Sequence, residues 1–288
     1  MPFARRHSSG LKLHVVVATA LALGAPALPA TELPGRMHRY EIAINPELTE
    51  LSVRACFDGA PPAGLVAESL DAPLALIEAR AETSRAEIEP SGSLSLKSLA
   101  EGECLRYRVD VSRAIRVHDR SGDKIRRVGR DLATAVGIWL WRPEVLAADE
   151  DVELAFSLPD GVSVSAPWHK VDAAPVPTYR LGRTPHEWPA VVAFGRFKER
   201  ILAVGGAQLR LAVLDGNPPV DEARMSEWIA DAAQMVSAVY GRFPFPHAQI
   251  VLVPNSRGNE PAPWAYVVRG GSPAVHFFIN QRRPVQEF

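Results

Sequence analysis

Several things are scarce in this 288-residue chain: two cysteines, four methionines, 7% aromatic residues and a net charge of -1. Two cysteines are too few for a disulfide-stapled miniature domain or a multi-cysteine zinc module. A charge close to zero removes any general attraction to nucleic acid or to an anionic membrane surface. No G-x-S-x-G elbow, P-loop or dinucleotide fingerprint occurs, and no H-E-x-x-H pair. Beyond the N-terminus no apolar run is long enough to span a bilayer.

What is present begins with that N-terminus. Arg5, Arg6 and Lys12 precede "LHVVVATALALGAPAL" and a small-residue close, "APALPA". Together they form the three-part pattern of a secretory signal peptide over residues 1–30. Cleavage after Ala27 or Ala30 predicts a mature start near Thr31 and an exported protein, periplasmic or extracellular. The competing reading is an uncut membrane anchor. In an oxidising compartment Cys56 and Cys104 are either bonded or two buried thiols, and spacing leaves both open.

From residue 36 to 213 short Val-, Leu- and aromatic-rich segments alternate with Gly/Pro/Asp turns. Examples are "HRYEIAI", "ELSVRACF", "CLRYRVDV", "VGIWLWRP", "VELAFSL" and "AVVAFGRF". The pattern predicts a mainly β domain, an antiparallel sandwich or a large curved sheet. "VGGAQLRL" predicts a hairpin turning at Gly205-Gly206. Residues 106–130 carry nine Lys/Arg against three Asp. With almost no interleaved aromatics, the stretch is read as a solvated face rather than a nucleic-acid site.

Near Asp215 the character changes to α+β, over residues 215–288. Pro218, Pro219 and two acids open a helix whose Met225, Trp228, Ile229, Ala232, Val236, Val239 and Tyr240 share one face. Gly241 and Pro244 end it. "AQIVLVP" is a strand apolar on both faces, and "AYVVRGGSPAVHFFIN" a hairpin. Eight histidines are present, none paired at zinc-helix spacing. "HEWPA" starts with His186-Glu187, but Ala190 stands where a second ligand belongs and Pro189 breaks a helix. His276, on an apolar strand, reads as a packing residue. Glu260, Trp264, Tyr266, Arg269, Gly270 and Gly271 are the candidate substrate-binding residues. Glu260 suits a substrate amine, and the hairpin suits an extended peptide added along its edge.

The segment "YGRFPFPHAQIVLVP" resembles the one that opens the thermolysin-like catalytic domain of gluzincin aminopeptidases. It is nearest the glycyl aminopeptidase type, metallopeptidase family sixty-one. "SAPWHKV…TYRLGRTPHEWPAVVAFGRF" resembles the close of that family's β domain. The resemblance implies an N-terminal β domain followed by a peptidase domain whose next helix carries H-E-x-x-H. There zinc polarises the peptide carbonyl and activates water, with the motif's glutamate as base. The hairpin departs from the family by lacking its Gly-Leu-Glu-His signature, and the chain ends at Phe288, before the zinc helix. The expectation is therefore a truncated portion, an incomplete thermolysin-like domain holding one cleft wall. Catalytic and metal residues are expected to be none in this chain. Zinc, the peptide substrate and a complement encoded downstream belong to a full-length parent. The alternative is a stand-alone exported β-rich module binding a peptide, glycan or protein.

Overall fold

The computed structural model describes residues 35–85, 87, 92–117, 125–185, 187–256 and 259–283. Every structural statement below concerns those residues. The signal-like stretch lies outside them, as do His7, His14, His118, His186 and residues 284–288.

Strands β1 (Arg36–Ile44), β2 (Glu50–Cys56) and β3 (Gly64–Val66) lead into a one-turn helix, α1 (Ala72–Ala75). Strands β4 (Leu76–Ala81), β5 (Ser93–Ser95) and β6 (Leu105–Asp110) follow, then helix α2 (Val111–Val117). Next come β7 (Ile125–Val128), β8 (Asp131–Ala135), a 3-10 turn over Val136–Ile138, β9 (Glu150–Ser157) and β10 (Ser163–Ser165). After β11 (His169–Lys170), β12 (Thr178–Arg180) and β13 (Val191–Gly195), the hairpin β14 (Arg200–Val204) and β15 (Ala207–Val213) is reached. Helix α3 (Glu222–Tyr240) precedes β16 (His247–Asn255), β17 (Trp264–Val268) and β18 (Ala274–Asn280).

The mainly β architecture expected from the sequence is found. A seven-stranded sheet has the order β11-β12-β9-β1-β2-β6-β4, a four-stranded sheet β10-β13-β8-β7, and a five-stranded sheet β14-β15-β16-β18-β17. Most pairs are antiparallel. The exceptions are β1 with β9, β15 with β16 and β16 with β18. Strands β14 and β15 lie before the 213/215 division drawn from the sequence, and β15 pairs with β16 beyond it.

Side-chain alternation explains the layering, because successive residues of a strand face opposite sides. In β1, His38, Tyr40, Ile42 and Ile44 point inward while Arg39, Glu41 and Ala43 face outward. That inner face meets Val192 and Phe194 of β13 and Leu132 of β8 in the largest core, with Trp139, Trp141 and Trp168 fully buried. The opposite faces of β8 and β13, through Ala133, Val191 and Ala193, pack on Ala212, Val251, Val253 and Phe278 of the five-stranded sheet. Its far side, Leu209, Leu211, Ile250 and Leu252, is covered by Met225, Ile229 and Ala233 of α3. The four-stranded sheet is thus a middle layer buried on both sides.

Local chemistry accounts for the ends of elements. Asp221 caps α3, its carboxylate accepting the Arg224 backbone N–H at 3.0 Å, and Gly241 closes the helix in the left-handed region. Gly205 and Gly206, at φ 56° and 80°, make the two-residue turn of the β14–β15 hairpin. Cys56 and Cys104 form a disulfide joining the end of β2 to the approach to β6.

Two expectations change. "VGIWLWRP" is not a strand but a 3-10 turn followed by an irregular buried segment. Its tryptophans fill the core regardless, and burial rather than pairing is what the apolar run secures. On α3, Met225, Ile229 and Ala233 are buried, whereas Val239 and Tyr240 are 79% and 69% exposed, so the apolar stripe is covered only in its first half. Several cations of the basic region are in ion pairs. Arg106 pairs with Glu82, Arg108 with Glu50 and Glu78, Arg113 with Asp110, and Arg130 with Asp215.

Candidate functional site

The hairpin β17–β18 closes one end of the five-stranded sheet, so β17 is its edge strand among the described residues. Trp264 and Tyr266 share a face with the residues opposite them, Phe278 and His276. Trp264 stacks on Phe278 with centroids 4.8 Å apart, and Tyr266 on His276 at 5.0 Å. The Arg126 guanidinium, from β7, lies 4.5 Å from the Phe278 ring centroid. The two stacks join β17 to β18, and the cation–π contact joins β18 to β7 of the middle layer. His276 is fully buried, and burial lowers its pKa to about 4, so its ring is neutral. Its Nδ1 lies 3.4 Å from the Tyr266 hydroxyl. This is the packing role expected for it.

Beneath β17 opens a cavity of about 380 Å³. One wall is the strand itself, through Trp264, Tyr266, Val267 and Val268. The other comes from far away in sequence: Glu68 and Ser69 after β3, Ala135 at the end of β8 and Gly137 in the 3-10 turn that follows, and Pro189 and Val191 at β13. Gly137 is the close-approach point. A Cβ there would fall 2.6 Å from Glu68 Cβ and 3.0 Å from its Oε2, and the Ser69 N–H donates to the Gly137 carbonyl at 3.0 Å. Behind this wall sits Arg142, its pKa lowered by burial and partly restored by the Glu68 and Glu187 carboxylates. The lining is mostly apolar with one acidic rim, suited to an apolar side chain of an extended segment.

The residues singled out in the sequence fall into three groups. Trp264 and Tyr266 line the cavity. Arg269 is exposed at the end of β17, and Glu260 is exposed in the loop that leads into it. That loop is tied down where the Asn280 N–H donates to the Pro261 carbonyl at 2.7 Å. Gly270 and Gly271 sit at the base of the hairpin. The Gly270 N–H donates to the Pro189 carbonyl at 2.9 Å and its own carbonyl accepts from Trp168 Nε1 at 2.8 Å. Gly271 packs on Trp168 and the Pro167 carbonyl. Sequence reasoning did not find Glu68, Ser69, Gly137 or Pro189, since no local pattern marks residues that meet only through tertiary packing.

Among the described residues no group of three or more His, Cys, Asp or Glu could hold a metal ion. The catalytic zinc implied by the family resemblance therefore has no fitting ligand set here. His38, for instance, is spent on structure: its Nδ1 accepts the Asp58 N–H at 3.2 Å and its Nε2 lies 3.6 Å from Glu150. No helix among the described residues is long and apolar enough to cross a membrane.

No protein-family profile matches the chain, and no curated protein matches it in sequence. Solved structures do. An aminopeptidase N family protein from Idiomarina loihiensis superposes with a TM-score of 0.57 at 13% identity, over 84% of this chain and 42% of that one. Weaker likenesses are yeast LTA4 hydrolase in complex with bestatin and an M1 zinc metallopeptidase mutant from Deinococcus radiodurans bound to a Tyr-Ser-Ala substrate. The first has TM-score 0.45 and 7% identity over 86% of this chain and 40% of that one. The second has TM-score 0.42 and 11% identity over 79% of this chain and 58% of that one. The chain spans less than two thirds of the length of each. The first likeness shows that the fold is the aminopeptidase-like one expected from the sequence.

Proposed function

We propose that this chain supplies the β scaffold and one wall of the peptide cleft of an exported zinc aminopeptidase-like protein, and does not hydrolyse peptides by itself. The observation that carries the reading is the position of β17 as the edge strand of its sheet, running over a cavity, within a fold shared with an aminopeptidase N family protein. An extended substrate would add to that edge by main-chain hydrogen bonds while a side chain enters the cavity. Glu260, Trp264, Tyr266 and Arg269 border the same strand and are the proposed contacts, with Gly270 and Gly271 setting the hairpin's base. Zinc and the general base would come from outside the described residues, and no catalytic step is derived through them. The signal-like N-terminus and the Cys56–Cys104 disulfide support export.

The test is peptide binding to the purified chain, followed by tryptophan fluorescence and calorimetry with short unstructured peptides. Binding should saturate, and Trp264→Ala and Val268→Trp should each weaken it at least tenfold. Undiminished binding by both variants would remove the cleft from β17. A fragment of the natural coding region lacking H-E-x-x-H downstream would refute the zinc-peptidase parent. N-terminal sequencing of the secreted protein, with a start near Thr31, checks export.

A further inference from the structure

Two imidazoles that the cleft does not use meet at the rim between layers. His169 begins β11, at the edge of the seven-stranded sheet, and His247 begins β16, in the five-stranded sheet. Their ring centroids are 5.5 Å apart, with planes inclined at 62°. They are 78 positions apart in sequence (247 minus 169), so only the packing of two sheets unites them. His169 is exposed and His247 half-buried, which leaves solvent access to the pair.

The ground under the pair is stiff. Next to His169, the Trp168 carbonyl accepts from Arg210 Nη2 at 2.7 Å, and Trp168 Nε1 donates to Gly270. Arg210 also donates to the Ala166 carbonyl at 2.7 Å. Two residues beyond His247, Gln249 is fully buried and donates to the Ser165 hydroxyl at 3.2 Å. Both rings are therefore mounted on backbone already fixed by buried hydrogen bonds, so little ordering cost is left for a ligand that bridges them.

We propose that His169 and His247 form a two-imidazole site for a borderline divalent transition ion, with water completing the coordination. Centroid separation of this size allows one nitrogen of each ring to reach a common ion, since metal–imidazole distances are about 2.0–2.1 Å. Imidazole favours Cu²⁺, Zn²⁺ and Ni²⁺ over Mg²⁺ and Ca²⁺, which take oxygen ligands. The residues paired in register with the two histidines are Arg180 and Gln208, not carboxylates. Selectivity for such ions would therefore rest on the two imidazoles. With only two protein ligands the site is moderate in affinity and unlike a closed structural zinc centre. Its effect would be to clip the edge of the seven-stranded sheet to the sheet that carries the β17 cleft. The proposal stands or falls independently of the peptidase reading.

The experiment is titration of the purified chain with ZnCl₂ or CuCl₂, by calorimetry and by melting temperature, beside MgCl₂ and CaCl₂. Expected is saturable one-to-one binding of Zn²⁺ and Cu²⁺, a rising melting temperature, and no response to Mg²⁺ or Ca²⁺. His169→Gln and His247→Gln should each weaken binding about tenfold or more, or ~1.4 kcal/mol, while unfolding cooperatively without metal. Unchanged affinity in either variant assigns the ion to other histidines and overturns the proposal. Absence of saturable binding in the wild-type chain does the same.

Discussion

The base of the hairpin gives the sharpest stability prediction. A Cβ placed on Gly270 would lie 2.8 Å from both the carbonyl carbon and oxygen of Pro189, and closer still to the Trp188 carbonyl oxygen. All three atoms are backbone, so no side chain can swing away, and either the 188–189 segment or the hairpin must move. Overpacking of this kind costs about 1–3 kcal/mol. Moving the segment also lengthens two hydrogen bonds, Gly270 N–H to Pro189 and Trp168 Nε1 to the Gly270 carbonyl, each worth about 1 kcal/mol. Gly270→Ala is therefore expected to destabilise by about 2–4 kcal/mol and to perturb Trp168. Urea unfolding reads the first and near-ultraviolet circular dichroism the second. Gly206→Ala is the control: nothing lies within 4 Å of its Cβ, and only its φ of 80° resists substitution. That conformation alone costs roughly 1–2 kcal/mol. If Gly270→Ala unfolds within 0.5 kcal/mol of wild type, roughly the noise of a neutral surface change, the steric argument is wrong.

Three further outcomes are expected. Replacing Cys56 and Cys104 together by serine should lower stability by ~4 kcal/mol on the chain-entropy model, because the bond closes a 48-residue separation; urea midpoints in the presence and absence of reductant check it. His276 has a folded pKa of about 4 against an ordinary 6.5, so below pH 6.5 the unfolded chain binds the extra proton. Its contribution is fully present above pH 6.5 and is lost progressively as pH falls towards 4, by ~3 kcal/mol in all; unfolding curves of His276→Phe across that window should show a flatter pH dependence than wild type. Met235, Val239 and Tyr240 are 66%, 79% and 69% exposed on one stretch of α3. Val239→Glu with Tyr240→Lys should reduce self-association in light scattering with stability changed by less than about 0.5 kcal/mol, and unchanged scattering would acquit the patch.

How much was legible follows from which forces act locally. Helix α3 could be read because Asp221 caps it, Gly241 ends it and the stripe through Met225 and Ile229 repeats at helical spacing. The β14–β15 and β17–β18 hairpins could be read because turn chemistry is local: Gly205-Gly206 and Gly270-Gly271 announce them. Strand β16 was visible as an apolar run because it is buried on both faces. The GIWLW stretch misled for the same reason. A continuous apolar run reports burial and not hydrogen-bond pairing, and Gly137 bends the chain where Glu68 lies against it. Of the cavity, only the β17 wall was foreseeable. The opposite wall is assembled by strands far apart in the chain, and nothing in the local pattern around Glu68 or Pro189 points across that distance.

The doubly buried middle layer explains why the two walls come as one object. Val192 and Phe194 of β13 face the seven-stranded sheet, while Val191 and Ala193 face the five-stranded one. No rotation of the five-stranded sheet against the middle layer is possible without uncovering Val191, Ala193, Phe197 and Phe278 together, and fully burying one such side chain is worth about 1.5–3 kcal/mol. Arg210 and Gln249 add buried hydrogen bonds across the same interface, to Ala166, Trp168 and Ser165. The cavity under β17 is bounded on one side by this interface, so its width is set by core packing rather than by a loop. A cleft wall built this way is preorganised: a bound segment would pay for its own ordering and little for the protein's. If the proposed peptide site is right, specificity changes are expected from substitutions in the middle layer, at Val191 or Ala135, as readily as from the exposed hairpin residues that the sequence brings first to notice.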